Sequence, residues 1–380
     1  MLMLLYMPSQ ILHTLFGEDV IIKIHGKIAG RFGIIADKAL EKIQSAYKTA
    51  FTLGCQGPDI FYHSRNRRPV GLEYGTLLHR RGAGIFTSGL LKMGLPNPPP
   101  DEEDIRAGRR EKGINPPGAY ALGFMTHAIL DRAAHPYIVY KTAFIPPEVP
   151  DSHFYSLFHL YFERILDTLM WRRLRGKEIS AWDQEKMLAE ICGNPPLGLM
   201  ELLSRSLVLA FPERAGRDEK LSLRIENTFA DCKRFYAMTA PRLSGLNSKN
   251  ENDFTISHET LAYIYPLDLS DTCCGMDFLN LEKQPWHYPV SGSKEDCRSF
   301  PEIYADAVEA AVASISPVIE AYLETGIFPI AEAGRAIGNS GLSITDENGK
   351  PRAPDFSNPL PLEKVIMEQA EMRGVRTQKP

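Results

Sequence analysis

HAILDRAAHP, residues 127–136, is the stretch that decides the fold, and HLYFE, residues 159–163, extends its pattern. The polar residues are His127, Asp131 and His135 in the first stretch and His159 and Glu163 in the second, always four positions apart. Residues four apart on an α-helix project from the same side, one turn above the other. The spacing therefore predicts two helices, each with a stripe of imidazole and carboxylate groups.

The residues between these polar positions are apolar, which predicts that both helices are buried. They include AIL at 128–130 and LYF at 160–162. Ionisable groups on a buried helix are costly unless they are paired or bound to a metal. One His/Asp pair alone is more often a helix cap, an exposed pair or a core histidine. Five such groups on two facing helices instead predict a site for a divalent transition metal, and zinc suits this ligand mix.

The rest of the chain also has helical periodicity, and the predicted fold class is all-α. Apolar residues recur at helical spacing between glycine- and proline-rich breaks, and no segment has a convincing strand pattern. We predict a helical metal-binding core at residues 8–245. Additional loops and a long C-terminal helix at 246–340 are predicted to pack on the same domain, and 341–380 is predicted to be a loose, polar, proline-rich tail.

Local signals predict where several helices begin and end. Ser9 is the expected N-cap of a short helix that carries His13. Residues 36–53 contain no glycine or proline and predict one continuous helix. Pro136 disfavours helical geometry at His135, so we expect His135 at a helix end. Further helices are predicted at about 180–193, 196–211, 217–240 and 301–325.

The composition is that of an ordinary soluble globular protein, with 44% hydrophobic and 24% charged residues. A formal net charge of −4 argues against a general nucleic-acid coat protein. The six cysteines are scattered without CxxC spacing, which indicates reduced thiols and a cytoplasmic location; a Cys274–Cys297 disulfide stays open. No apolar run reaches the ~18 residues of a spanning helix. The N-terminal residues make a poor secretory signal, and Met7 is an alternative start.

Three more residues are candidate ligands, although each has a plainer interpretation when its position is taken alone. Asp59 follows Pro58 in GPDIF, where an aspartate commonly serves a turn or a helix N-cap. His79 lies in TLLHR and fits a partly exposed helix histidine. His13 lies in an apolar helix and fits a core histidine bonded to the backbone.

These residues stand in segments whose order resembles the zinc-dependent phospholipase C family, which shares its fold with fungal single-strand nucleases. The matching segments are ILH at 11–13, FGE at 16–18, LGCQGPDIF at 53–61, LHR at 78–80, GFMTHAILDRAAHP at 123–136, and His159 with Glu163. The resemblance runs from about residue 8 to 170 and continues weakly through WHYP at 286–289. The motifs GxQGPDxF and HxxxDxxxHP are specific together and weak alone.

The resemblance implies an all-helical bundle with two to three zinc ions in a cleft. Its implied ligand sets are Asp59, His79, His127 and Asp131 for one zinc, His135, His159 and Glu163 for a second, and His13 with Asp131 for a third. Secreted members of the family complete the third site with a processed N-terminal residue. Here a two-metal site, a water in that position, or the amine of Pro8 remain alternatives. His159 is preferred over His153 because of its spacing to Glu163.

The chemistry that the resemblance implies is hydrolysis of a phosphodiester by a zinc-bound hydroxide, since zinc lowers the pKa of bound water from 15.7 to about 7. Asp59 is the expected general base, and Arg80 and Arg81 are candidate contacts for the phosphate, although solvated loops also explain them. The expected partner is a small phosphate ester or a phospholipid headgroup, and no feature favours nucleic acid. A non-catalytic metal-stabilised scaffold and a nuclease- or nucleotidase-like phosphodiesterase are the alternatives.

Overall fold

Helices build most of the chain, as the sequence predicts for an all-α protein. The computed structural model describes residues 9–94, 114–143, 152–239, 255–257, 261–269, 272–273, 275–290 and 295–378. Met7, Pro8, Cys274 and the side chain of His153 lie outside the described residues. Cys55, Cys192, Cys232 and Cys297 have free thiols.

The helices are numbered here in chain order. They are α1 Ile11–Phe32, α2 Ile34–Gln44, α3 Lys48–Cys55, α4 Leu72–Arg80, α5 Ala83–Met93, α6 Pro116–Thr142, α7 Ser152–Arg175, α8 Gln184–Gly193, α9 Leu199–Ala210, α10 Leu221–Met238, α11 Phe300–Thr325, α12 Ile330–Ile337 and α13 Leu362–Met372. Short 3-10 helices span Gly57–His63 and Ile179–Ala181. The helices predicted near 180, 196, 217 and 301 correspond to α8, α9, α10 and α11.

Strands contribute only three two-stranded pairs within the described ranges. β1 Thr255–Ser257 runs parallel to β6 Arg376–Gln378. β2 Thr272–Cys273 is antiparallel to β3 Met276–Asp277, and β4 Trp286–His287 is antiparallel to β5 Glu295–Asp296. Strands of two or three residues are too short to leave an alternating pattern in the sequence.

The N-terminal half differs from the prediction in two helices. The helix with His13 is long rather than short, with 22 residues, and no side chain of its cap residue Gln10 bonds to it. Ser9 instead donates a hydrogen bond to the carboxylate of Asp167. The predicted helix over 36–53 is two helices, because the chain leaves helical geometry at Ser45, whose hydroxyl bonds back to the Glu41 carbonyl.

Helix α6 continues through Pro136, which corrects the expectation that His135 ends the helix. Proline removes one backbone hydrogen bond and crowds the preceding turn, at a cost of about 3 kcal/mol in a helix interior. Burial on both sides of Pro136 offsets that cost, since Tyr137 and Leu130 are at most 1% exposed. His135 therefore stays in register with His127 and Asp131 on one helix.

Helix α6 is central and packs against α1, α3, α5 and α11. Two glycines bring its backbone against α3. A Cβ on Gly54 would lie 2.2 Å from the Tyr120 carbonyl oxygen, and one on Gly123 would lie 2.3 Å from the Phe51 carbonyl oxygen. This close approach places the 3-10 helix that follows α3, and with it Asp59, beside the first ligand candidate of α6.

The segment after residue 340 is packed, which differs from the predicted loose tail. Leu342 N–H donates to the His79 carbonyl over 2.8 Å, and the N–H groups of Asn358 and Leu360 donate to carbonyls at the end of α6 over 2.8 Å each. In α13 four apolar side chains are buried, namely Leu362, Val365, Ile366 and Ala370. The proline-rich approach to α13 hides its periodicity in the sequence. Among the described helices, none is long and apolar enough to cross a membrane.

Candidate metal centre

The structure brings all eight predicted ligand residues into one buried cluster. Five segments supply them: α1 gives His13, the 3-10 helix gives Asp59, α4 gives His79, α6 gives His127, Asp131 and His135, and α7 gives His159 and Glu163. We call this set the eight-residue cluster. The side chains of His79 and His135 are the most exposed of the set, at 12% and 10%, so the cluster reaches solvent on their side.

Asp131 lies at the centre of the cluster. Its Oδ1 is 3.2 Å from His13 Nε2 and 3.6 Å from His135 Nδ1. Its Oδ2 is 3.2 Å from His127 Nε2 and 3.5 Å from His79 Nε2. Each oxygen thus faces two ring nitrogens, so Asp131 contacts four of the five histidines of the cluster.

Asp59 closes the cluster from the opposite side. Its Oδ1 is 2.9 Å from His79 Nε2, and its Oδ2 is 3.8 Å from His127 Nδ1 and 4.0 Å from His13 Nε2. Gly57 determines this approach: it has φ +54°, and a Cβ there would lie 2.3 Å from the ring of His127. Only glycine combines that backbone angle with that contact.

A second group of three lies between α6 and α7. His159 Nε2 is 3.4 Å and His135 Nε2 is 3.8 Å from Glu163 Oε1. The two rings are stacked with centroids 5.7 Å apart. The potential ligand atoms of these three residues all lie within 4.8 Å of one another, as do those of His79, His127 and Asp131 and those of His13, Asp59 and His127.

Backbone and hydroxyl partners orient three of the rings. Nδ1 of His79 lies 2.8 Å from the Gly75 carbonyl, and Nδ1 of His127 lies 3.1 Å from the Cys55 carbonyl. A carbonyl only accepts, so each Nδ1 carries a proton, and in the neutral ring Nε2 is the nitrogen that presents a lone pair. His159 Nδ1 is 3.3 Å from Thr142 Oγ1, whose own proton goes to the Ile138 carbonyl. Metal-binding histidines are commonly held in this way.

The oriented rings direct lone pairs at carboxylate oxygens, so that acceptors face acceptors. Nε2 of His127 and Oδ2 of Asp131 are 3.2 Å apart, and neither has a hydrogen-bond partner within the described part of the chain. Both groups are almost fully buried, at 0% and 3% exposure. Such a pair is stable only with a cation between its members, either a proton or a metal ion.

The pKa values show the same need for cations. Burial opposes a charged ring, yet Asp131 and Asp59 outweigh it and raise the pKa of His79 to about 10. Burial also opposes the charge of Asp131, but His127 and His135 hold its pKa well below the usual range. Burial raises the pKa of Glu163 well above its usual value and lowers that of His159 to about 4. The metal-free cluster therefore retains protons at neutral pH.

Arg80 and Arg81 lie next to the cluster, because they follow His79 in the chain. Both are exposed, at the end of α4 directly after His79. No ion pair or hydrogen bond of either side chain occurs within the described residues. Guanidinium groups beside the exposed edge of the cluster are available to an anionic ligand.

Some residues that shape the cluster were missed at the sequence level. The partners of the rings are backbone carbonyls and the Thr142 hydroxyl, which have no sequence signature. Asp167 could have been found, because it continues the four-residue spacing of His159 and Glu163 along α7. Comparison with family models, curated proteins and solved structures found no match. The geometry of the cluster is therefore the basis for a functional interpretation.

Proposed function

We propose that this chain is a zinc-dependent phosphoric ester hydrolase that resembles zinc-dependent phospholipase C in its metal centre and helical bundle. One observation carries the proposal: the Nε2 atoms of three rings, those of His79, His127 and His159, face carboxylate oxygens 2.9 to 3.4 Å away in a buried cluster. Imidazole nitrogens and carboxylate oxygens brought together in this way are potential ligands of a cation.

The donor set supports zinc as the cation. It consists of five imidazoles and three carboxylates, without a thiolate. Imidazole nitrogen with carboxylate oxygen suits zinc, whereas magnesium and calcium prefer oxygen alone. Histidine rings held through Nδ1 by carbonyl or hydroxyl partners are also the usual second layer of a zinc site. Two to three ions fit the three groups of ligand atoms, two of which share His127.

Bound zinc would supply positive charge to a phosphate and an acidified water for attack. The protein's own residues would accept the proton of the attacking water and hold the acceptor in position. Asp59 is 2% exposed and its Oδ1 faces His79 Nε2 at 2.9 Å, so Oδ2 is the expected acceptor for a proton of the attacking water. His79, held by Gly75, fixes the other oxygen of Asp59.

Charge and access support a substrate that contains phosphate. The cluster reaches solvent beside His79, where Arg80 and Arg81 are exposed and available to a phosphate. We propose a phosphodiester, as in a phospholipid headgroup or a small phosphate ester. Single-stranded nucleic acid is the alternative substrate, and including it in the assay separates these cases.

Metal content is the first test. The purified protein and its His127→Ala/His135→Ala double variant are dialysed against zinc and analysed for bound metal. Two to three zinc ions per chain, lost in the variant, support the site. A wild-type protein without zinc contradicts the proposal, because the cluster is then held by protons alone.

Turnover of bis(4-nitrophenyl) phosphate is the second test, with Asp59→Asn as the decisive variant. Loss of a positioned general base commonly costs about 10² to 10⁴ in rate. We expect a loss in that range with most of the zinc retained. Asp231→Asn is the matched control, since Asp231 is 3% exposed and accepts hydrogen bonds from the backbone N–H groups of residues 65–67. Equal losses of turnover and of zinc in Asp59→Asn refute the role as general base.

A metal-stabilised scaffold is the second candidate, and the burial of the cluster favours it. His127 is 0% exposed and six of the other residues are at most 8% exposed. Structural zinc sites are closed in this way, whereas catalytic sites keep an open position. Zinc that raises the melting temperature without hydrolysis of any phosphodiester would establish this second function.

A further inference from the structure

The first turn of α1 is held by a carboxylate from another helix. Leu12 N–H donates to Asp167 Oδ1 over 2.7 Å and Ile11 N–H donates to Asp167 Oδ2 over 3.4 Å. The Ser9 hydroxyl donates to the same carboxylate. Gln10, the local cap residue, makes no side-chain capping bond. Asp167 therefore replaces a local N-cap over a separation of 155 residues.

The same carboxylate stands on the helix that carries two of the ligand candidates. Asp167 follows Glu163 by four residues and His159 by eight on α7, so all three share one helix face. On α1, His13 follows directly after Leu12, whose N–H bonds to Asp167. One side chain thus links the start of α1 to the ligand stripe of α7.

A buried network holds Asp167 in place. Asp167 and Arg164 are both 0% exposed, and Arg164 Nη1 lies 3.7 Å from Asp167 Oδ2. The Tyr265 hydroxyl donates to Asp167 Oδ2 over 3.0 Å, and Arg164 donates to the Tyr265 oxygen and lies over its ring at 4.4 Å. A charge pair at this depth has little freedom to shift, because any shift leaves a buried charge without its partner.

We propose that Asp167 is a positioning residue of the metal centre: it fixes the first turn of α1 so that the ring of His13 reaches Asp131 and stacks on His127. Those contacts are short, at 3.2 Å for His13 Nε2 to Asp131 Oδ1 and 4.1 Å between the two ring centroids. The inference rests on the proposed function, because it concerns the zinc that His13 helps to bind.

Asp167→Asn tests this role in the full-length, zinc-loaded protein. Zinc binding is measured by competition with a chromophoric chelator, and His13→Ala identifies the zinc that depends on His13. We expect Asp167→Asn to weaken that zinc about tenfold or more, as outer partners of metal ligands do. In the double variant with His13→Ala, the loss should be no larger than in His13→Ala alone. Additive losses overturn the proposal.

Asp231→Asn separates positioning from general stabilisation. Asp231 is an aspartate of similar burial that accepts backbone N–H groups from Arg65 and Asn66 over 2.8 Å each. We expect this control to lower stability but to leave zinc affinity unchanged. In the metal-free proteins, the amides of Ile11 and Leu12 should exchange faster only in Asp167→Asn. Equal zinc losses in the two variants overturn the proposal.

If Asp167→Asn does not fold, Tyr265→Phe is measured instead, since this substitution removes one hydrogen bond to Asp167 and keeps the aromatic ring. A weakened zinc site that depends on His13 supports positioning, and unchanged zinc affinity overturns it. A wild-type protein that binds no zinc contradicts the proposed function itself, which distinguishes the two failures.

Discussion

Replacing Gly57 with alanine is expected to disrupt zinc binding, because the new methyl group would overlap the ring of His127. Gly57 has φ +54°, and its Cβ would lie 2.3 Å from Cγ and Cδ2 of His127 and 2.8 Å from Nδ1. Carbon atoms in favourable contact are about 3.5 to 4.0 Å apart. The ring has no free direction to move, since it is 0% exposed and stacked on His13 with centroids 4.1 Å apart.

Two costs add in this variant. A left-handed backbone angle costs an alanine about 1–2 kcal/mol, and overpacking in a dense interior costs about 1–3 kcal/mol. Taken together, these terms should lower the free energy of unfolding of the metal-free protein by about 3 kcal/mol. Displacing the ring also breaks the bond from His127 Nδ1 to the Cys55 carbonyl. Zinc affinity should then fall by about tenfold or more.

Urea unfolding in chelator and a competitive zinc titration measure these two effects. Gly198→Ala is the first control: Gly198 has φ +84° and ψ −9°, and a methyl group there would meet no atom within 4 Å, so only the strain of about 1–2 kcal/mol applies. Gly26→Ala is the second, in open space within α1, and should stabilise by up to about 1 kcal/mol. Wild-type zinc affinity in Gly57→Ala would refute the placement of His127.

Three further outcomes follow from the charges and the packing. Zinc uptake at pH 7.5 should release protons, because the pKa of His79 is raised to about 10 and this ring must lose a proton to bind the metal. Calorimetry in buffers of different ionisation enthalpy measures the release, and none detected would contradict it. In chelator, the contribution of His79 to stability should be greatest below pH 6.5 and fall by several kcal/mol as the pH rises towards 10, because the raised pKa stabilises the folded state only while His79 is protonated. Urea unfolding at pH 6.5 and 9.5 tests the sign. His79→Gln should reduce the difference between the two pH values. Arg132→Lys should loosen the segment after residue 336, because the guanidinium group of Arg132 donates to the carbonyls of Ile337, Ser340 and Gly341 and a lysine cannot make all three bonds. Limited proteolysis should then cleave this segment earlier than in the exposed control Arg335→Lys. Equal cleavage rates would count against the prediction.

The sequence was sufficient for the two ligand-bearing helices, because i, i+4 spacing is a property of the helix itself. His127 and Asp131 are one turn apart in any α-helix, and the apolar residues between them make burial the only stable solution. That His13, Asp59 and His79 join the same cluster came from the resemblance. The residues next to these three in the sequence do not indicate which segments pack together in the fold.

Helix boundaries were less predictable where a distant contact decides them. Pro136 disfavours a helix locally, but packing around α6 offsets the cost. The start of α1 depends on Asp167, which lies 155 residues beyond Leu12. The tail packs through backbone bonds to the end of α6, and such bonds are the same for every residue type. Local propensity contains none of these long-range terms.

The orientation of the rings connects the fold to its proposed metal. A buried histidine that merely fills space satisfies both nitrogens with neutral partners, whereas here Nδ1 of His127 bonds to a carbonyl and Nε2 faces Asp131. Leaving such a buried group unsatisfied costs about 1–3 kcal/mol, so several of them would offset much of the stability of a domain. A ligand that binds only the folded state and is present at about 1,000 times its dissociation constant stabilises that state by about 4.1 kcal/mol. Zinc binding and folding are therefore expected to be coupled in this protein, so that chelation should lower its melting temperature.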